Sequence, residues 1–339
     1  MNVFVSDRFN SVTDIKMPFL SAAIDPLQVQ DSLSHYLSTA QNTHLEKIEV
    51  IRHKPGRRCL IEYELINDYG QKITLIGKVR AKGIDFNSYE LQKSLWEAGF
   101  AGDSIDGISV PEPVGIIPEW QMWLQRKVEG VTATQLLIEK NGFIWAERIA
   151  EAAHKLHKTN IPPRCSHTMT DELKILHERI PLVMKQYPQW QGRLERILAE
   201  CNYLANNTPA PKCCGIHRDF YPDQLIINHQ RLYLIDLDLY CEGNPALDIG
   251  NFIGHVQEYS LRVFGNLEML RDFEKSLTER FLQLTDDQFR VAIESYTTLT
   301  LVRHIHISTQ FSERSHFTEA LLNLCEQRLN IIHNYRKFK

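Results

Sequence analysis

The chain has 339 residues, of which 43% are hydrophobic and 24% charged, the balance of a folded globular protein rather than a disordered or fibrous one. That length accommodates one large or two medium domains with buried cores. With 38 basic and 42 acidic residues the formal net charge is -4, which argues against a chain whose main task is to hold nucleic acid.

The opening residues, MNVFVSDRFNSV, lack a basic start followed by an apolar stretch, so no targeting segment is expected there. Asp25-Pro26 opens a helix, with Asp25 as cap and Pro26 at the first position, and Val29, Leu33, Tyr36 and Leu37 recur at helical spacing. Residues 1–44 are therefore expected to form an N-terminal extension with a helix. From residue 45 the texture is that of strands. KIEVIRH alternates apolar and polar residues, HKPGRR reads as a turn, and CLIEYEL resumes the alternation through Ile61, Tyr63 and Leu65. After a second turn at Asn67-Asp68-Tyr69-Gly70, KITLIGKVR completes an antiparallel three-strand meander.

A helix through Tyr89, Leu91, Leu95 and Trp96 follows and stops at Gly99. Pro111 and Pro113 lead into two extended pieces, PVGIIP and QMWLQRKV. From about residue 132 the pattern turns helical, in TATQLLIEK, FIWAERIAEAAHKLHK and TDELKILHERIPLVMKQY. Short strands and loops interrupt it between Pro209 and Pro245, RLYLIDLDL being the clearest strand, and helices resume from Asp248. The fold class is thus α+β: a small β lobe over residues 45–129 and a larger, mainly helical lobe over 130–339, with the boundary near Gly130.

The seven cysteines form no paired framework, and no apolar run approaches membrane-spanning length. Both features predict a soluble protein of a reducing compartment, cytoplasmic and without a membrane partner. Cys213-Cys214 has no C-x-x-C partner for a zinc site. His304 and His306, two apart on a helix, face different ways and make a poor metal pair. Trp120, Trp123, Trp145 and Trp190 are read as core residues, and Asp171 and Glu172 as helix-start acids.

Chemistry concentrates in residues 215–252, GIHRDFYPDQLIINHQRLYLIDLDLYCEGNPALDIGNF. Asp219 sits in a loop behind His217 and Arg218, with Gln224 five positions later. A turn at Asn228-His229-Gln230 reverses the chain, and a strand delivers Asp236. Such an excursion can bring Asp219, Gln224 and Asp236 to one spot. Phosphoryl transfer needs those parts: a carboxylate to orient the attacking hydroxyl and receive its proton, and oxygen ligands to hold Mg²⁺ against phosphates. Asp219 is the expected base, and Gln224 and Asp236 the expected metal ligands.

HRDFYPDQ, then LIDLD, then GNPALDIGNF resembles the core of the aminoglycoside phosphotransferase and choline kinase families, whose motifs read H-x-D-x-x-x-x-N, I-D and G-x-P-x-x-D. The resemblance implies a bilobal, protein-kinase-like fold and a small-molecule kinase using Mg²⁺ with ATP or GTP. It matches Asp219 to the base, Asp236 to the principal metal aspartate, and Asp248 to a structural support. AERIAEAAHKLHKTNIP is similar to the helix before the catalytic region, and WLQRKVEGVTATQLL to the interlobe hinge. Gln224 stands where the family has Asn, one methylene longer, which bears on a second metal site; Asp238 could assist if its strand continues.

In the smaller lobe Lys78 is expected to reach the nucleotide phosphates, steadied by Glu90 of the next helix, with Glu97 as the alternative. Arg80 and Lys82 are rival lysine-site candidates. HKPGRR takes the place of a phosphate-covering loop, with Gly56 for close backbone approach and Lys54, Arg57 and Arg58 for charge. Backbone groups of Gln125 to Lys127 are implied to hold the base. The partners expected are a nucleoside triphosphate and a small hydroxyl acceptor. Helices between residues 256 and 339 are expected to line the acceptor cleft, where Glu258, Asp272 and Glu313 could attract a cation. A nucleotide-binding module without useful catalysis is the main alternative. A protein-directed kinase is another, opposed by GNPALDIGNF and by the lack of D-F-G and A-P-E.

Overall fold

The structure, a computed structural model, describes residues 3–139 and 142–337, with side chains through residue 330. Lys140, the end of TATQLLIEK, and residues 338–339 at the end of the expected acceptor-lining stretch lie outside the described residues. The chain divides into two compact units, Met1–Glu129 and Gly130–Lys339.

The alternating stretches of the first unit become β2 (Thr43–Lys54), β3 (Arg58–Asn67) and β4 (Lys72–Arg80), the expected meander. They form the centre of a six-stranded sheet that β1 (Phe4–Ser6), β6 (Pro113–Ile117) and β7 (Met122–Arg126) complete in the order β1-β2-β3-β4-β7-β6. β1 is parallel to β2, and the other pairs are antiparallel. Cys59, Ile61, Tyr63 and Leu65 alternate onto one face and are all fully buried.

That face is covered by α1 (Leu20–Ala23) and α2 (Pro26–Tyr36), whose Leu20, Val29 and Leu33 join one core with the strands. Asp25 caps α2 by accepting from the Gln28 amide, as its Asp-Pro start predicts. In the expected N-terminal extension, α1 and α2 thus pack on this sheet and β1 extends it. Each such leucine contributes about 1.5–3 kcal/mol of burial, and the sheet would otherwise present its apolar face to water. Gln92 on α3 (Phe86–Leu95) is buried and donates to the Pro111 carbonyl and the Gln125 side chain.

The second unit begins at Gly130, whose φ of +139° and close contact with the Ile227 carbonyl exclude a side chain. Its helices include α5 (Gly142–His157), α6 (Met169–Gln186), α8 (Ala246–Phe264), α9 (Arg271–Leu284) and α10 (Arg290–Thr309). Between them lie β10 (Cys214–Ile216), β11 (Leu225–Asn228) and β12 (Arg231–Leu234). α8 rests closely on α10: a methyl group at Gly250 would stand 2.6 Å from Tyr296 Cβ, and one at Gly254 2.6 Å from Thr300 Cγ2. No helix among the described residues is long and apolar enough to cross a membrane.

Glu274 on α9 accepts from Gln257 at 2.6 Å, and burial raises its carboxyl from 4.5 to about 7. The folded state thus binds this proton more tightly than the unfolded chain. Its contribution is complete below the unfolded value and is lost as pH rises towards 7. Glu274→Gln is expected to remove on the order of 2–3 kcal/mol of that pH dependence. Parallel unfolding free-energy profiles for parent and variant, from mildly acidic to mildly alkaline pH, would refute this.

Candidate functional site

The hairpin of β11 and β12 places Leu225 opposite Leu234, so the residues flanking the pair also meet. The Ile235 amide donates to the Gln224 carbonyl at 3.0 Å, and the Gln224 amide nitrogen reaches Asp236 Oδ2 at 3.5 Å. Two of the expected metal ligands are therefore together. Gln224 is 6% exposed at the end of a short 3-10 turn, Pro222–Gln224.

Beyond them the expectation needs correction. The strand predicted through RLYLIDLDL stops at Leu234. Asp236 adopts a left-handed backbone, φ +56°, and Leu237–Leu239 is a 3-10 turn. Strand alternation therefore does not place half-buried Asp238 beside Asp236, because the turn replaces the two-residue period. Aspartate tolerates the left-handed region better than most residues, and such a conformation is often held at functional sites.

The loop bearing Asp219 is fixed on both sides. Asp248, fully buried, accepts the amides of His217 and Arg218 at 2.9 and 2.7 Å. It also accepts from His157 Nε2 at 2.8 Å. His217 Nε2 in turn donates to the Ile235 carbonyl at 3.0 Å, tying the loop to the hairpin end. On the far side Asn251 donates its amide to the Phe220 carbonyl at 2.9 Å, while Thr300 and Arg303 donate to its oxygen. Asp219, half-buried, thus stands between two anchored peptide groups. Asp248 and Asn251 are three apart on α8 and share one face. Asn251 escaped the sequence reading, although that spacing in LDIGN was its signal.

Arg303 also pairs with Glu172 at 3.4 Å, and Glu172 accepts from His167 at 2.6 Å. Burial alone would raise the Glu172 carboxyl, but the His167 hydrogen bond and the Arg303 charge hold it below its usual range. Glu172 is therefore a buried network member, not only a helix-start acid. Glu258, expected to attract a cationic acceptor, is 3% exposed and paired with Arg262 at 2.8 Å. It is already engaged, whereas Asp272 and Glu313 are exposed.

Among the described residues no three His, Cys, Asp or Glu side chains are grouped to hold a metal ion. The donors that do meet are one carboxylate, Asp236, and one amide, Gln224. Mg²⁺ takes six oxygens and keeps several waters, with one or two protein ligands beside substrate phosphates. That sparse set fits Asp236 and Gln224 once the amide makes the half-turn that presents its oxygen. All seven cysteines are free thiols.

In the first unit, strand register gathers cations on the sheet face opposite the α1–α2 layer. Lys54, Arg58 and Arg80 lie in one cross-strand row, and Arg52, Leu60, Lys78 and Trp123 in the next. Crowding by Arg58, Arg52 and Arg57 lowers the Lys54 ammonium below its usual range. Lys78 Nζ lies over the buried Trp123 ring, 4.5 Å from its centre, and Tyr89 meets the same ring edge-on. Glu90, the next residue of α3, is exposed. Arg57 is exposed in the turn joining β2 and β3.

Two expectations for this unit change. The Gly56 amide, in the turn expected to cover phosphate, donates to Asp14 at 2.7 Å, and that bond lowers the Asp14 carboxyl. At the expected base-binding stretch, the Lys127 amide donates to the Thr74 carbonyl at 2.8 Å and the Arg126 amide to Glu112 at 2.9 Å. The Lys127 ammonium pairs with buried Glu62 at 2.8 Å, and the Gln125 side chain accepts from Gln92. Sheet pairing has taken the Arg126 and Lys127 donors.

A family model described as "Phosphotransferase enzyme family" matches residues 97–269, just over half of the chain. Solved structures share the fold across nearly the whole chain. A choline/ethanolamine kinase family protein from Mesorhizobium loti aligns with a TM-score of 0.59 at 11% identity, over 89% of this chain and 94% of its own. A choline kinase from Cryptosporidium parvum Iowa II gives 0.56 at 12% identity, over 92% and 97% respectively. The amicoumacin kinase hAmiN, solved with AMP-PNP, Ca²⁺ and Ami, gives 0.57 at 14% identity, over 92% and 96%. No curated protein sequence matches the chain. The α+β architecture read from the sequence is accordingly that of the kinase-like fold.

Proposed function

Because the chain belongs to the phosphotransferase enzyme family, we propose that it moves the terminal phosphate of ATP or GTP to a hydroxyl group of a small molecule. The observation that carries this reading is the pairing of Gln224 with Asp236 beside a loop that Asp248 and Asn251 hold from both sides of Asp219. The hAmiN kinase, solved in complex with AMP-PNP and Ca²⁺, supports the same cofactor class here.

In this reading Lys78, with the cations of its sheet face, steadies the phosphates. Asp236 and Gln224 would hold Mg²⁺, which would neutralise phosphate charge. Asp219 orients the acceptor hydroxyl and takes its proton as the new oxygen–phosphorus bond forms and the bond to the nucleoside diphosphate breaks. Arg57, Glu90, Gln125, Lys127 and Asp238 are assigned supporting roles around nucleotide and metal. For Lys127 that role is left to its carbonyl, its amide being engaged.

A second reading has one observation in its favour: Gln224 stands where the family has Asn, and its extra methylene shifts the amide oxygen, which suits nucleotide binding without transfer. Calorimetric titration of ATP and GTP with and without Mg²⁺, paired with a phosphate-transfer screen over hydroxyl metabolites, separates the two. Binding and transfer are expected, and binding with no transfer to any acceptor favours the second reading. Asp236→Ala is expected to weaken nucleotide binding at least about tenfold with Mg²⁺ present and to change it little without the metal. Equal weakening under both conditions removes Asp236 from the metal role.

A further inference from the structure

Three segments of the first unit meet at one end of the six-stranded sheet: the β2–β3 turn, the loop before α1 and the exit from β4. The Gly56 amide of the turn donates to Asp14 of the loop, and the Ala81 amide donates to the Arg57 carbonyl at 3.0 Å. The stem of Lys16 lies over Gly56, where a methyl group would stand 2.9 Å from its Cδ.

This braced end carries Lys16, Lys54, Arg57, Arg58 and Lys82, all exposed except half-buried Arg58. None of the five forms an ion pair with a carboxylate among the described residues. The acids of the same segments are taken: Asp7 by Ser11, Asp14 by His53 and Gly56, and Asp85 by Arg80 at 2.7 Å. The lowered Lys54 ammonium reports the crowding of cations here. In a chain of formal net charge -4, like charges gathered without counter-charges mark a place for an anionic partner.

Ile15, between Asp14 and Lys16, is 93% exposed, and Val12 of the same loop is 42% exposed. A lone exposed apolar side chain is ordinary, but here it projects from a fixed loop amid cations. Nucleotide phosphates have no use for an exposed isoleucine. Nor has a nucleic acid, whose phosphates take cations and whose bases stack on aromatic rings. An anionic bilayer uses both: its headgroups attract the charges, and its interface takes up the apolar side chain.

We propose that this end of the sheet docks on the surface of a membrane rich in anionic phospholipid, with Ile15 entering the headgroup layer and the surrounding cations over the phosphates. Such contact is peripheral and needs no spanning helix. It therefore revises the expectation of no membrane partner, which rested on the lack of a membrane-spanning run. Asp219, Gln224 and Asp236 take no part in it, so it does not depend on the phosphotransferase reading.

The test is co-flotation of the full chain, without nucleotide, with vesicles of phosphatidylglycerol and phosphatidylcholine in equal parts, and with vesicles of phosphatidylcholine alone. Binding to the anionic vesicles is expected to be at least about tenfold tighter and to weaken in high salt. Ile15→Asp is expected to weaken it about tenfold and Lys16→Glu about fivefold, and at so exposed a site neither should disturb folding. No preference for anionic vesicles, or unchanged binding by Ile15→Asp, overturns the proposal. So does tighter binding to a short DNA duplex than to the vesicles, which assigns the surface to nucleic acid. A loss of Mg-ATP affinity in Lys16→Glu that matches its loss of vesicle binding assigns the surface to the nucleotide instead and is equally fatal.

Discussion

Asp219→Asn is expected to lower phosphate transfer by about 10²–10⁴-fold, the usual worth of a positioned base, while nucleotide affinity stays near that of the parent. The amide keeps the size of the carboxylate but cannot take the hydroxyl proton. Both flanks of residue 219 are anchored by bonds that its side chain does not make: the Arg218 amide to Asp248, and the Phe220 carbonyl to Asn251. The loop should therefore keep its shape, and the loss should fall on kcat rather than on nucleotide binding. Transfer assays at saturating nucleotide, paired with calorimetry, read the two effects separately. Turnover equal to the parent's would remove Asp219 from the chemistry.

Asp248→Ala is expected to destabilise the fold by at least about 3 kcal/mol. Three donors, two of them buried, converge on that carboxylate from His217, Arg218 and His157, and alanine leaves all three without an acceptor. Each unmet buried donor costs about 1–3 kcal/mol, and the contributions are not additive. Chemical denaturation of parent and variant gives the difference, and a loss below about 1 kcal/mol would show that water reaches these donors. Asp248→Asn should lie between, because its amide keeps one acceptor oxygen and adds a donor where only acceptors are wanted.

Much of the fold was legible because it rests on periodicity. KIEVIRH, CLIEYEL and KITLIGKVR alternate as half-buried strands must, and they became β2, β3 and β4. The role of residues 1–44 was not legible in the same way. Apolar residues at helical spacing announce a face to be buried but not what it covers, and only the core shows Leu20, Val29 and Leu33 lying on the sheet.

At the site, residue types and order announced Gln224 and Asp236, because a short hairpin brings its two ends together whatever surrounds it. The end of the strand was hidden, since the apolar pattern of LYLIDLDL runs on past Asp236, where the backbone turns left-handed. Backbone donors were hidden for a similar reason. Strand pairing with Thr74 occupies the Lys127 amide, and a carboxylate 42 residues earlier occupies that of Gly56. No local signal reports such engagements.

The seam where Gly250 and Gly254 let α8 lie against α10 makes the loop that carries Asp219 sensitive to residues that never approach it. Asp248 and Asn251 ride on the same helix, so a bulkier side chain at Tyr296 or Thr300 would lever both grips outward together. Sequence drift in this protein should consequently be tolerated on the solvent side of α10 and resisted along its buried 296–300 edge.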